Sequence, residues 1–160
     1  MEILRIILPS LFVLLIIAWI AYFIYRRSGV TIGKLDKMDG VEFENAIADL
    51  YRTLGYTVQT TKASGDQGID IIIKKTFHGT KGLQLKRYDN PVGNSAVQEA
   101  VAGKKFYGLD KVAVLTNNYF TKSARELARA NKVELIGREE VKRLIEKAKR
   151  AAKKKRKKRK

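Results

Sequence analysis

Gly65-Asp66-Gln67-Gly68-Ile69-Asp70-Ile71-Ile72-Ile73, answered after a short gap by Leu83-Gln84-Leu85-Lys86, is the stretch on which the fold turns. A glycine-bounded turn leads into a carboxylate, and the carboxylate heads an apolar run. Residues i and i+2 of an extended strand share a face. Gln84 and Lys86 therefore project together, while Leu83 and Leu85 point the other way. Paired as a hairpin, the two runs bring Asp70, Gln84 and Lys86 towards one another. That set is a charged oxygen ligand, a neutral oxygen ligand and an adjacent cation, which is what metal-assisted phosphodiester hydrolysis needs.

The bulk composition narrows the partners. The chain has 160 residues, room for one domain with extensions. Its net charge is +17, and residues 150–160 carry nine basic residues and no acid, which leaves +8 on residues 1–149. A basic body with a more basic tail implies a polyanion: DNA, RNA or an anionic lipid surface. The absence of cysteine excludes disulfides and thiolate metal sites. The single histidine, His78, excludes a histidine-rich zinc site. Any metal must be held mainly by oxygen, as Mg2+ or Mn2+ would be.

Residues 6–25 contain no charged side chain. A helix of that length spans roughly 30 Å, about one hydrocarbon core. Trp19, Tyr22 and Tyr25 lie towards its end, where an aromatic belt would sit, and Arg26 and Arg27 follow at once. A cleaved signal peptide would have a shorter apolar region, basic residues ahead of it and a small-x-small site after it. Residues 1–27 are therefore expected to be a retained membrane anchor that contacts lipid through residues 6–25. The excess of Lys and Arg after the span places the C-terminal domain in the cytoplasm.

Residues 28–38 read as a linker. Asp39 and Glu42 form a capping-box pattern ahead of a stripe of Phe43, Ile47, Leu50 and Leu54, and Gly55 supplies the stop. Strands are expected over 56–61, 69–75, 83–87, 111–116 and 133–136, and further helices over 95–107, 121–131 and 138–148. The order α-β-β-β-α-β-α-β-α predicts an α/β domain over residues 39–149, a mixed sheet flanked by helices. Residues 150–160 are low in complexity and self-repelling, which predicts a disordered tail.

Each candidate residue also has a plainer reading. Asp70 is costly to bury at a strand end unless it meets a cation, but it could be a solvated turn residue. Asp66 lies within the turn and reads as its structural support. Lys86 gains meaning only by sharing a face with Gln84. Glu44 is one position off the apolar stripe, either a solvated acid near a helix N-terminus or an outer-sphere metal ligand. Gln98 and Glu99 carry the same ambiguity on a later helix, and His78 reads as a surface residue on a hairpin tip.

In combination, these residues resemble a known family. The order is Phe43-Glu44, Leu54-Gly55-Tyr56, Ser64-Gly65-Asp66-Gln67-Gly68-Ile69-Asp70, Gln84-Leu85-Lys86-Arg87-Tyr88, Val92-Gly93, Ala96-Val97-Gln98-Glu99 and Thr116-Asn117 before Phe120-Thr121. Over residues 35–144 it closely resembles the catalytic domain of Mrr-like restriction endonucleases, within the PD-(D/E)xK nuclease superfamily. The resemblance implies a restriction-endonuclease-like fold and magnesium-dependent cleavage of DNA. Carried over, Asp70 is the central metal ligand, Gln84 the variant of the usual acidic ligand and Lys86 the catalytic lysine. Glu44 is the acid from the first helix and a further metal ligand, and Gln98 an accessory residue. Gln84 departs from the superfamily pattern but agrees with the Mrr-like branch. A membrane span stands where Mrr architecture has a DNA-recognition domain. The expected function is a membrane-anchored DNA endonuclease. The alternative is a catalytically weak membrane tether that binds DNA through a nuclease-like fold. A homodimer is left open.

Overall fold

The computed structural model describes residues 14–17, 19, 29–61, 67–74 and 79–158. Helix α1 (Ile32–Leu35) precedes helix α2 (Gly40–Thr53). Strands β1 (Thr57–Thr60), β2 (Ile71–Lys74) and β3 (Thr80–Lys86) follow. Helix α3 (Asn94–Phe106), strand β4 (Lys111–Thr116), helix α4 (Lys122–Ala130), strand β5 (Glu134–Ile136) and helix α5 (Arg138–Lys157) complete the domain. The five strands form one sheet in the order β1-β2-β3-β4-β5. The first three pair antiparallel, and β4 and β5 add in parallel to β3. The fold is a mixed five-strand α/β sheet flanked by helices, as the element order predicts.

Side-chain alternation divides the core into two layers. Ile71, Ile73, Leu83, Leu85, Ala113 and Leu115 pack with α2 and α5 on one face. Ile69, Val112 and Val114 pack with Val97 and Ala100 of α3 and Ala124 of α4 on the other. Strand β4, Val112-Ala113-Val114-Leu115, is apolar at consecutive positions because both its faces are covered. Helix α2 begins as its sequence predicts. The Asp39 carboxylate accepts from Glu42 N at 2.8 Å, Glu42 Oε2 accepts from Asp39 N at 3.1 Å, and Gly55 ends the turn at φ +89°.

Two glycines set the distance between the strand turn and α3. Gly68 has φ +78°, and a Cβ there would stand 2.3 Å from the Glu99 carbonyl oxygen. A Cβ on Gly103 would stand 2.5 Å from the Gln67 carbonyl oxygen. The segment entering β2 thus lies directly on the α3 backbone, which only residues without a side chain allow.

The structure departs from two expectations. The segment over 28–38, expected to be a linker, instead contributes α1 to the core. Leu35 is fully buried, and Val30, Ile32 and Met38 pack around the same cluster. Its apolar residues are too few and too closely spaced for a periodicity argument, yet they reach the core because α1 lies against α5. The tail, expected to be disordered, continues α5 as a helix through Lys157. Lysine, arginine and alanine are good helix formers, no glycine or proline interrupts them, and cations at a helix C-terminus suit its dipole.

The expected span over residues 6–25 falls largely outside the described residues. Among those described, no helix is long and apolar enough to cross a membrane. Residues 14–17 are helical, and Leu14, Leu15 and Trp19 are exposed. The readings of Asp66 and His78 also lie outside the described residues.

Candidate active site

The β2–β3 hairpin positions the central residues. Ile71 pairs with Leu83, and one step further the Asp70 N–H donates to the Leu83 carbonyl at 3.0 Å. Asp70 therefore faces Gln84 across the ladder. The Asp70 carboxylate Oδ2 accepts from Leu85 N, between the two side chains of interest. On the outer side, Thr61 N and Oγ1 donate to the Asp70 carbonyl at 3.0 and 2.9 Å. Leu85 N thus holds the half-buried carboxylate, while Thr61 fixes the Asp70 main chain from the β1 side.

Gln84 and Lys86 share the face turned towards α3. Gln84 is 4% exposed, and its side-chain oxygen Oε1 has no hydrogen-bond partner among the described residues. A buried, unpaired amide oxygen costs about 1–3 kcal/mol unless something polar meets it. Two positions along, Lys86 Nζ lies 2.7 Å from Glu99 Oε2 on α3. Burial pushes the Lys86 pKa down. The hydrogen bond and charge of Glu99, with Tyr88 and Asp70 beyond it, outweigh burial and hold the pKa above its ordinary value. Lys86 therefore remains an ammonium at neutral pH. The stabilisation from this pairing is fully present below the unfolded lysine pKa and fades only as pH rises through the raised folded value.

Asp70, Gln84 and Lys86 thus come together at one end of the sheet. Gln98 does not join them. It is exposed and lines a shallow groove with Val101, Leu127 and Asn131, between α3 and α4. Its neighbour Glu99, about 100° further round the helix, is the residue that meets Lys86. Glu44 is half-buried in the first part of α2, a helix whose buried residues pack on the face of the sheet opposite α3. Periodicity offers one signal for Glu99: it lies beside the buried stripe Ala96, Val97 and Ala100.

Among the described residues, no three His, Cys, Asp or Glu side chains gather to hold a metal. Among the described residues, the donors turned towards this point include the Asp70 carboxylate and the buried amide oxygen Gln84 Oε1, which has no partner among them. That set suits a hard cation such as magnesium, which takes one or two carboxylates and keeps several waters.

A second polar cluster braces the loops beside the site. Arg138 grips Asp36 with two nitrogens, at 2.8 Å to Oδ1 and 2.9 Å to Oδ2, and donates to the Asn117 carbonyl at 2.8 Å. Asn117 Nδ2 donates to Asp36 at 3.0 Å, and Asn117 Oδ1 accepts from Tyr88 N at 2.9 Å. Arg87 donates to the Asp36 carbonyl at 2.9 Å. The loops after β3 and β4 are therefore fastened to α1 and to the start of α5. Residue spacing offers no signal for this cluster, whose members lie up to 102 positions apart.

The Arg138 hydrogen bond, against the opposing effect of burial, holds the Asp36 carboxyl below its usual pKa, with Asn117 and Arg87 assisting. A depressed folded pKa contributes stability above the unfolded value, and this is lost as pH falls through the folded one. Asp36→Ala is expected to cost about 1–3 kcal/mol at pH 7, because Arg138 loses its partner. The gap from the unsubstituted protein should narrow below about pH 4, as measured by urea unfolding at both pH values. A gap of equal size at pH 7 and pH 3 would argue against the ion pair as its source.

A mixed five-strand sheet with an Asp, a Gln-x-Lys strand and flanking helices defines a restriction-endonuclease-like nuclease domain of the PD-(D/E)xK type. The chain belongs to the Mrr catalytic-domain family, described as restriction endonuclease, whose model matches residues 35–145. The structure is similar to the DNA modification-dependent restriction endonuclease AspBHI, with 19% identity, a TM-score of 0.57, and coverage of 73% of this chain and 34% of that one. It is also similar to MspJI restriction endonuclease solved with a 27-mer oligonucleotide, at 19% identity and TM-score 0.50, covering 71% of this chain and 30% of that one. A protein of unknown function, AF1548, matches at 18% identity and TM-score 0.50, over 59% of this chain and 55% of that one. This chain thus spans about a third of the length of the two restriction enzymes. No curated protein matches it.

Proposed function

We propose that the chain is a membrane-anchored, metal-dependent DNA endonuclease that hydrolyses phosphodiester bonds at Asp70, Gln84 and Lys86. The observation that carries this reading is the buried Gln84 Oε1, without a partner among the described residues, beside the Asp70 carboxylate and a charged lysine. Family membership and the oligonucleotide in the MspJI structure support DNA as the substrate.

Asp70 and Gln84 would hold magnesium, which when bound polarises the scissile phosphate and lowers the pKa of a bound water. The Lys86 ammonium then offsets negative charge growing on the phosphoryl oxygens and orients the attacking water. Glu99 holds that ammonium in place and keeps it charged. Gln84, neutral and held on a buried strand, contributes an oxygen dipole with no second negative charge near the phosphate.

The test is conversion of supercoiled plasmid by the full chain. Nicked or linear product is expected with Mg2+ and none with excess EDTA. DNA binding without cleavage in any divalent metal would favour a tether over an enzyme.

The anchor proposal rests on the uncharged run over residues 6–25, followed by Arg26 and Arg27. The full chain is expected in the membrane fraction, resistant to high salt and released by detergent. Its C-terminus should be shielded from protease outside intact cells. Recovery in the soluble fraction, or digestion of the C-terminus from outside, would overturn the anchor.

A further inference from the structure

The end of α5 is a structured cationic surface, and the proposed nuclease chemistry does not use it. Its last buried residue is Ala148, and no acid follows Glu146. Lys149 is paired with Glu146 at 2.8 Å, and Lys155 donates to the Thr53 carbonyl at 3.1 Å, which ties the helix to the end of α2. The remaining cations, Arg150, Lys153, Lys154, Arg156, Lys157 and Lys158, are exposed. At about 100° per residue they cover an arc of about 200° around the helix axis, within roughly 12 Å of its length.

Two features of this surface identify a partner. The first is its shape. A flat anionic bilayer touches one side of a helix lying on it, and lipid-binding helices add an apolar face or aromatic residues. This segment has neither, since its only uncharged residues are alanines turned towards α2. A helix in the major groove of a duplex is flanked by a phosphate backbone on each side, which uses a wide cationic arc. Duplex DNA carries one phosphate charge per about 1.7 Å, or about seven over 12 Å, against six cations here.

The second feature is location. Helix α5 starts at Arg138, beside Asn117 and the ends of β3 and β4, where Lys86 lies. Lys155 stands 17 residues further on, about 25 Å along the helix, at the other end of the sheet. The helix also packs on the layer opposite α3.

We infer that the C-terminal end of α5 is a second duplex-DNA contact that seats as a helix in the groove. It engages a segment other than the one at Lys86, so one chain bridges two DNA segments. The inference rests on DNA being the partner of the proposed function.

The test uses the full chain in neutral detergent with EDTA present. Two variants are compared with the unsubstituted protein. One replaces Arg150, Lys153, Lys154, Arg156, Lys157 and Lys158 with Gln. The other, Ala152→Pro, keeps every charge but breaks the helix beyond the last buried residue. Affinity for a duplex is measured across salt concentrations, and bridging by energy transfer between donor-labelled and acceptor-labelled duplexes. The Gln variant should flatten the slope of log affinity against log salt by up to about 5, at about 0.9 per phosphate contact. Ala152→Pro should bind at least about tenfold more weakly, because charges on a broken helix no longer fit the groove. Both should lose energy transfer and still nick plasmid in Mg2+.

Three outcomes would overturn the inference: Ala152→Pro binding like the parent, an unchanged salt slope in the Gln variant, or undiminished bridging by it. Failure of the nuclease reading looks different: no cleavage by the parent protein, with tail-dependent bridging intact.

Discussion

Asp70→Asn is expected to lower Mg2+-dependent DNA cleavage by about a thousandfold or more while the protein stays folded and binds DNA. The size follows from the several kcal/mol that a correctly held metal supplies to a phosphoryl-transfer transition state. The amide keeps the shape of the side chain and an oxygen for the Leu85 N–H, so the loss is one of charge. Asp70→Ala removes the same charge and also leaves the Leu85 N–H without its acceptor, in a residue that is 5% exposed. It should therefore lose activity equally and also about 1–3 kcal/mol of stability. Single-turnover cleavage combined with urea unfolding separates the two effects. Asp70→Asn with full activity would remove Asp70 from the chemistry.

Lys86→Ala is expected to lower turnover by about a hundredfold to a thousandfold, as loss of one preorganised charge stabiliser does. Metal affinity should change far less, since a lysine is a point charge and no metal ligand. The raised pKa adds a second expectation. No deprotonation of Lys86 should appear in the pH–rate profile between pH 6 and about pH 10, because the group stays cationic throughout. A lysine acting as general base would need a lowered pKa and would give a limb near neutrality. Parallel loss of metal binding and turnover in Lys86→Ala would make the residue structural.

The local rules of the sequence reach far into this fold. Asp39 and Glu42 announce the start of α2, and Gly55 announces its end. The alternation of Leu83, Gln84, Leu85 and Lys86 defines which side of β3 faces α3. Ile71-Ile72-Ile73 and Val112-Ala113-Val114-Leu115 mark strands covered on both faces. All of these signals lie within a few residues of what they specify. What the sequence leaves hidden depends on residues far apart in the chain. Asp36 has no local feature pointing to Arg138, so α1 reads as a linker until α5 is seen against it. Residue spacing permits either Gln98 or Glu99 to approach Lys86, and only the rotation of α3 on Gly68 and Gly103 brings Glu99 there. The tail reads as disordered by charge density, whereas its helix propensity and its continuity with a packed helix carry α5 through Lys157.

Cleavage is expected to depend on a cation held by Asp70 and the buried Gln84 oxygen. Mn2+ binding followed by electron paramagnetic resonance tests it most directly, on the unsubstituted chain, Asp70→Asn and Gln84→Leu, without DNA. One Mn2+ per chain is predicted for the unsubstituted protein, with binding lost in Asp70→Asn and weakened about tenfold or more in Gln84→Leu. Undiminished Mn2+ binding in both variants, each folded by circular dichroism, would contradict the assignment and place any catalytic metal elsewhere.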